Sequence, residues 1–208
     1  MHGNDGAKAR RAGWLFLPPV LFIAAAVAVH VLHDDHDGWH APLSFYLSGP
    51  HGHWLVAAYC VLGVGLVALA LAARAATVHE ARYALTPVLF AGGAVSLAVT
   101  AFWPGSAPGH PADPLGDFIH RLSAMCSFLL VGFGMLLQSL GLRRDPAWRR
   151  AAGPLLALAV AAFAALWAHA LWRGLPRGAS QKAVVALYLL WAAWLAWRLR
   201  ALSPRPTA

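Results

Sequence analysis

The chain has 208 residues, of which 60% are hydrophobic and only 12% are charged. Soluble domains carry about 25% charged residues, and the apolar residues here form long blocks that lack the alternation of an amphipathic helix or strand. These features argue against a soluble globular protein. The formal net charge is +8, but Lys and Arg lie at the ends of apolar blocks and form no single stripe. We therefore expect contact with membrane lipids and no nucleic-acid partner.

Six apolar segments are long enough to cross a bilayer, which takes about 20 helical residues at ~1.5 Å each. In chain order they are Trp14–Leu32, Trp54–Ala73, Ala84–Trp103, Phe118–Leu140, Ala152–Trp172 and Ala183–Leu199. They predict an all-α, polytopic integral membrane protein: one six-helix transmembrane domain over residues 1–208, with no soluble domain. The first segment is too long for a typical signal peptide and no small-residue cleavage site follows it, so we interpret it as a retained helix.

The basic residues predict the orientation of these helices. Twelve of the sixteen Lys and Arg residues fall on the side of the N-terminus: Lys8, Arg10, Arg11, Arg74, Arg82, Arg143, Arg144, Arg149, Arg150, Arg198, Arg200 and Arg205. Short cytoplasmic segments are enriched in Lys and Arg, so we expect both termini in the cytoplasm. We place the chain in the bacterial cytoplasmic (inner) membrane, with the histidine- and aspartate-rich loops on the periplasmic side.

The densest polar run extends from His30 to His40, after the first segment. If the first helix continues by one turn, His30, His33 and Asp34 share one face. Imidazole and carboxylate groups at that spacing can ligate a divalent transition metal. The candidate metal ligands are His30, His33, Asp34, His36 and His120. A solvated loop whose side chains titrate with pH explains the same composition, and both interpretations stay open.

A second polar stretch, residues 42–54, leads into the second segment. Its turn residues are Gly49, Pro50 and Gly52. They predict a tight re-entry into the membrane. Ser44 and Tyr46 in the same stretch can donate hydrogen bonds to a lipid headgroup, so we include them, together with Gly49, Pro50 and Gly52, in a candidate outer pocket.

Two further histidines adjoin apolar sequence. His120 opens the fourth segment three residues after Asp117, and His169 lies near the end of the fifth. A histidine within a membrane helix is a functional hypothesis, although an interhelical hydrogen bond explains it equally well. We take His120, Asp117 and Ser44 as candidate catalytic residues and His169 as a further member of the outer pocket.

The pattern Leu43-Ser44 followed by Ser48-Gly49-Pro50-x-Gly52-x-Trp54 resembles a motif of the bacterial and archaeal family known as domain of unknown function 998. Further matches are Phe102-Trp103-Pro104, an acidic outer loop and the helix opening Phe118-Ile119-His120. The chain departs from the family where Gly105 follows Pro104, because an aspartate usually comes soon after that proline. The resemblance implies a compact six-helix bundle with its polar motifs outside, and it implies no particular reaction.

The leading functional hypothesis is an inner-membrane protein whose outward-facing polar pocket handles a lipid or another membrane-embedded small molecule. One alternative is a metal-dependent membrane enzyme that uses the outer His/Asp cluster. Another is a b-type haem protein with two axial ligands from His30, His53, His120 and His169. A structural or accessory membrane subunit is the last. The sequence leaves open whether the protein is an enzyme and whether it forms oligomers.

The orientation makes a direct prediction about accessibility in intact cells. A cysteine substituted at Ser48 is expected to react with a membrane-impermeant maleimide from the periplasmic side. A cysteine at Ala147 is expected to be protected, because it lies in a cytoplasmic connection. The measurement is labelling before and after lysis, and the reverse pattern would overturn the orientation.

Overall fold

The computed structural model describes residues 13–32 and 37–202. This part of the chain contains six long helices: α1 (Leu17–Leu32), α2 (Gly52–Ala75), α3 (Leu85–Phe102), α4 (Pro114–Leu142), α5 (Arg149–Leu171) and α6 (Arg177–Leu202). The 3₁₀ turn Trp14–Phe16 leads into α1, and the 3₁₀ helices Leu43–Leu47 and His79–Ala81 lie in connections. Residues 13–32 and 37–202 contain no β-strand. The predicted all-α fold is confirmed, with six helices long and apolar enough to cross a membrane.

Helix α4 begins at Pro114, earlier than the apolar segment suggested. Asp113 caps it, because its side chain accepts a hydrogen bond from the Gly116 amide at 2.8 Å. Pro114 occupies the first turn, where its missing N–H costs least. Capping chemistry thus extends the helix over polar residues that hydropathy assigns to a loop.

Helix α6 also begins earlier, at Arg177, and its cap comes from a distant part of the chain. The Gly178 amide donates to the His40 carbonyl at 3.0 Å, and the Ala179 amide donates to the Trp39 carbonyl at 2.8 Å. The first amides of a helix have no partner within the helix. The α1–α2 connection therefore supplies acceptors that only the folded bundle brings into place.

Successive helices pack as antiparallel neighbours from α1 to α6, and α6 returns across α2 while it touches α1 only sparsely. Glycines allow two of these close approaches. A Cβ atom at Gly65 would lie 2.5 Å from the Pro18 ring, and one at Gly93 would lie 2.6 Å from Val131 Cγ2. Small residues at such positions let membrane helices gain van der Waals contact where no hydrophobic driving force acts.

Two aromatic residues of α6 reach across the bundle. The Tyr188 hydroxyl donates to the Phe128 carbonyl at 2.8 Å, and Trp191 Nε1 donates to Ser139 Oγ at 3.0 Å. The Trp191 ring also stacks on Phe90, with ring centroids 5.9 Å apart. These contacts connect α6 with α3 and α4, which are not its neighbours in the chain.

The two ends of the bundle differ in chemistry. We call the end with connections 37–51, 103–113 and 172–176 the histidine end, and the opposite end the basic end.

At the basic end Asp145, only 1% exposed, accepts hydrogen bonds from the amides of Val78 (2.8 Å) and Ala147 (2.9 Å). Buried Trp148 donates from Nε1 to the Ala76 carbonyl at 3.2 Å. Asp145 and Trp148 thus join the α2–α3 and α4–α5 connections.

Removal of the Asp145 carboxyl group is expected to destabilise the bundle. Asp145→Ala leaves two amides without partners, which costs about 1–3 kcal/mol for a buried polar group. Asp145→Asn keeps one acceptor oxygen and is expected to lose less stability than Asp145→Ala. The measurement is unfolding as a function of SDS mole fraction, and an Asp145→Ala protein as stable as wild type would contradict this role.

Candidate functional site

The start of α6 and the turn that follows α1 form one polar assembly at the histidine end. Lys182 Nζ donates hydrogen bonds to the Gly38 carbonyl and, at 3.1 Å, to the Ala41 carbonyl. One residue earlier, Gln181 Oε1 accepts from the Leu43 amide at 2.7 Å. Together with the backbone caps of α6, these bonds hold residues 37–43 against the last helix.

His30, near the end of α1, packs into the same assembly. Its ring stacks on Tyr46 with centroids 4.1 Å apart and an interplanar angle of 27°. Lys182 Nζ lies 5.9 Å from the centroid of the same tyrosine ring. His30 and Tyr46, separate candidates in the sequence, are thus neighbours, and Lys182 joins them.

The turn before Trp39 carries a carboxylate of its own. Asp37 accepts a hydrogen bond from His40 Nδ1 at 2.5 Å and another from the Trp39 amide at 2.9 Å. The bond from His40, helped by the Trp39 amide, lowers the pKa of Asp37 below its ordinary value. Asp37 therefore stays ionised at neutral pH.

A groove runs between α1 and α6 below this assembly. Its volume is about 320 Å³, and its walls are apolar except for two side chains, His30 and Lys182. Ile23, Val27 and Val31 line it from α1 and are all largely exposed, Val31 to 75%. Because α1 and α6 are membrane-spanning helices, the groove opens sideways, toward the space that lipid tails occupy.

A smaller cavity of about 70 Å³ lies inside the bundle, next to the groove. It has room for about two water molecules. Its polar wall residues are Ser44, Tyr59, Thr100, Ser127, Gln181 and Tyr188. Phe22, Leu43, Val185 and Leu189 line both spaces. Ser44, a candidate catalytic residue, therefore faces the inner cavity and is not a lining residue of the groove.

His120 belongs to a different part of the histidine end, between α3 and α4. It is 7% exposed, and its Nδ1 donates to the Trp103 carbonyl at 2.8 Å. A Cβ atom at Gly105 would lie 2.8 Å from His120 Cδ2, so the absence of a side chain there makes room for the imidazole. His120 thus holds the end of α3 against the start of α4.

Asp117 serves the same connection. Its Oδ1 accepts from the Ser106 amide at 2.7 Å, and its Oδ2 accepts from Arg121 Nη2 at 3.3 Å. Ser106 Oγ in turn accepts from the Ala112 amide at 3.0 Å. Asp117 and His120, both candidate catalytic residues in the sequence, thus have different hydrogen-bond partners, because the imidazole is anchored by the Trp103 carbonyl.

His169 pairs with the opening of α6. Its Nδ1 lies 2.7 Å from Ser180 Oγ, and its carbonyl accepts from Arg177 Nη1 at 2.6 Å. His169 therefore ties α5 to α6, while His30 sits with α1 and His120 with α3 and α4. The three imidazoles therefore lie in separate environments, and the Nδ1 atom of each has a hydrogen-bond partner of its own.

The predicted re-entry turn before α2 is present. The Gly52 amide donates to the Gly49 carbonyl at 2.9 Å, with Pro50 between them. A Cβ atom at Gly52 would collide with the Leu47 carbonyl, so a glycine is required where the chain turns into α2. The turn follows the 3₁₀ helix Leu43–Leu47, which carries Ser44 and Tyr46 and in which Tyr46 is buried.

The predicted metal site is only partly within the described residues. His33, Asp34 and His36 lie outside them. Among residues 13–32 and 37–202, no three His, Cys, Asp or Glu side chains come close enough to hold a metal ion together. His30 and His120 occupy the separate environments described above. A metal site that includes the residues after His30 stays a prediction, as do the haem and catalytic roles.

Sequence reasoning missed Lys182 and Gln181 as site residues. In the sequence, Lys182 is one of the four Lys and Arg residues that do not fall on the side of the N-terminus, and no role was predicted for it. A signal was present, because a lone lysine at the opening of an apolar helix is costly unless it has a role. Its contacts at Gly38 and Ala41 are about 140 residues away in sequence, so periodicity could not indicate them.

Six apolar helices with a polar assembly at one end define a multi-pass α-helical membrane protein. A family model described as "Protein of unknown function (DUF998)" matches residues 16–198, so the chain belongs to that family. The family resemblance drawn from the short motifs is thereby confirmed. No curated protein and no solved structure matches the chain.

The contacts of His120 predict what its replacement does. His120→Phe keeps a ring against Gly105 but removes the hydrogen bond to Trp103, which is worth about 0.5–1.5 kcal/mol. Amides of the 103–113 connection are therefore expected to exchange with deuterium faster than in wild type. Arg121→Gln removes an exposed ion pair with Asp117 and an exposed hydrogen bond to the Asp117 carbonyl. It is the matched control and is expected to change exchange little. Unchanged exchange in His120→Phe, together with lost ligand binding, would assign His120 a direct role instead.

Proposed function

We propose that the protein binds a membrane lipid, or a lipid-like small molecule, in the groove between α1 and α6. The observation that carries the proposal is the groove itself. It is apolar along its length, opens sideways toward the membrane and ends at Lys182 and His30. A molecule with an apolar tail and a polar head matches this distribution.

The groove has the size of a ligand site. Its volume of about 320 Å³ lies at the lower end of the ~300–1,000 Å³ range of ligand pockets in proteins. The inner cavity of about 70 Å³ is too small for a lipid. We therefore place the tail in the groove, between the first and last helices.

The polar head of the lipid is expected to determine which lipid the groove selects. A lipid tail that enters the groove exchanges one apolar environment for another, so hydrophobic free energy contributes little to binding. Hydrogen bonds and charge at the polar end then decide which lipid is retained. Lys182 and His30 are the polar side chains that line the groove.

The proposed location is the outer leaflet of a bacterial inner membrane. Arg74, Arg82, Arg143, Arg144 and Arg149 lie around the two connections of the basic end. The enrichment of cytoplasmic loops in Lys and Arg supports an inward-facing basic end. The histidine end, with Lys182 and His30, then faces the periplasm.

The geometry supports binding better than a catalysed reaction. Asp117 and His120 hold the α3–α4 connection through hydrogen bonds to backbone groups. Neither residue lines the groove, and Ser44 lines the inner cavity instead. The side chains nearest the proposed ligand are a lysine and a histidine, which suit recognition of a polar head.

A side chain that fills the groove is expected to displace the lipid. Ala186 is exposed and lines the groove from α6, so Ala186→Trp places an indole ring in the tail path. The full chain is purified in mild detergent, and bound lipid is counted by native mass spectrometry. We expect wild type to retain lipid and Ala186→Trp to lose most of it.

The matched control is Ala164→Trp, at an exposed position of α5 that lines none of the described cavities. It adds the same ring to a membrane helix and is expected to retain lipid as wild type does. Equal retention by the two tryptophan variants would show that the bound lipid lies elsewhere. That result would overturn the proposal.

A further inference from the structure

The hydrogen-bond partner of His30 determines what its other ring nitrogen can accept. Nδ1 lies 2.7 Å from the Ala26 carbonyl. A carbonyl only accepts hydrogen bonds, so Nδ1 carries the hydrogen, and in the neutral ring Nε2 is left with a lone pair. Nε2 is buried and has no hydrogen-bond partner among the described residues. A ligand that satisfies this nitrogen presents a donor, such as a hydroxyl group.

Lys182 has the opposite requirement. Its ammonium group carries three N–H donors, of which two bind the Gly38 and Ala41 carbonyls. Within residues 13–32 and 37–202, no carboxylate forms a salt bridge with it. Asp37, whose hydrogen bond goes to His40, attracts it only from a longer distance. A half-buried cation of this kind favours an anionic partner.

His30 and Lys182 both lie next to Gly38, in the turn that follows α1. The position of a Cβ atom at Gly38 would be 3.5 Å from His30 Cδ2 and 3.8 Å from Lys182 Nζ. Both side chains also line the groove between α1 and α6. One headgroup can therefore contact His30 and Lys182 at once while its tail lies between the helices.

We infer that the ligand is an anionic phospholipid whose headgroup also carries a hydroxyl group, as a glycerol phosphate does. Its phosphate oxygen accepts from Lys182 Nζ, and its hydroxyl donates to His30 Nε2. This inference rests on the proposed function, because it names the head of the lipid whose tail occupies the groove. It adds a specificity that an apolar groove alone does not have.

Three guest lipids and one host lipid, all with identical acyl chains, separate the two contacts. Phosphatidylglycerol has the anion and the hydroxyl, phosphatidylmethanol only the anion, and diacylglycerol only the hydroxyl. Phosphatidylcholine, which is zwitterionic and has no donor, is the host lipid. The full chain is reconstituted into nanodiscs with one guest at a time, extracted mildly, and its retained guest is compared with retained host by native mass spectrometry.

Phosphatidylglycerol is expected to be enriched most, by about tenfold or more over the host. Each of the two half-matched lipids is expected to fall short of it by about threefold to tenfold, the effect of one lost hydrogen bond. Soluble glycerol phosphate at millimolar concentration is expected to compete poorly, because it has no tail. Effective competition by this soluble phosphate would overturn the assignment to a lipid.

Substitutions at two positions, Lys182 and His30, test the assigned contacts. Lys182→Met keeps the apolar stem and is expected to lose the preference for anionic guests, whereas Lys182→Arg keeps the charge and is expected to retain it. His30→Phe keeps a ring on Tyr46. It is expected to reduce the enrichment of phosphatidylglycerol over the host to that of phosphatidylmethanol. Arg173→Met and His110→Phe, at exposed positions of the same end, are the controls and are expected to bind as wild type.

The outcomes distinguish this inference from the proposed function. Retention of all guests in proportion to their abundance, still abolished by Ala186→Trp, would overturn the headgroup assignment and leave the groove as a lipid site. Loss of guest binding in every arm would overturn both. Asp34 and Asp35 lie outside the described residues, so a third result is informative. If the Asp34→Asn, Asp35→Asn protein prefers anions and wild type does not, Lys182 has a counter-charge within the chain, and the inference is wrong.

Discussion

The backbone carbonyls of residues 38–41 hold both the first amides of α6 and the ammonium group of Lys182. In a membrane, each backbone polar group needs a partner within the protein, because lipid offers none. The start of α6 finds its partners in the turn after α1, and this exchange brings the first and last helices together. His30 and the groove lie beside that contact.

The contact joins the two helices at one end only. Farther along, α6 packs on α2 and sends Tyr188 and Trp191 to α4, while α1 packs chiefly on α2. The groove lies between α1 and α6, among the apolar side chains next to Lys182 and His30. The proposed lipid site is this groove, which ends at Lys182 and His30 and whose other walls are apolar.

The other histidines illustrate how a polar cluster in sequence can serve the fold. His120 bonds to the Trp103 carbonyl and His169 to Ser180, so each closes a connection between neighbouring helices. Such bonds satisfy backbone and side-chain groups at helix ends, where water is scarce and an unpaired polar atom is costly. His30 differs, because its Nε2 lacks a partner among the described residues. That difference, rather than the number of histidines, singles out the groove.

The sequence by itself determined the helical class, the six spans and the family, because the bilayer imposes a length and an apolar composition on each segment. It also indicated the re-entry turn, since Gly49, Pro50 and Gly52 have local backbone preferences. Only the tertiary structure decided that Lys182 meets Gly38, that His30 stacks on Tyr46 and that His120 binds Trp103. These contacts join residues from separate segments, and hydrophobic periodicity carries no information about which polar groups meet at helix ends. The early starts of α4 and α6 have the same cause, because caps rather than hydropathy set where those helices begin.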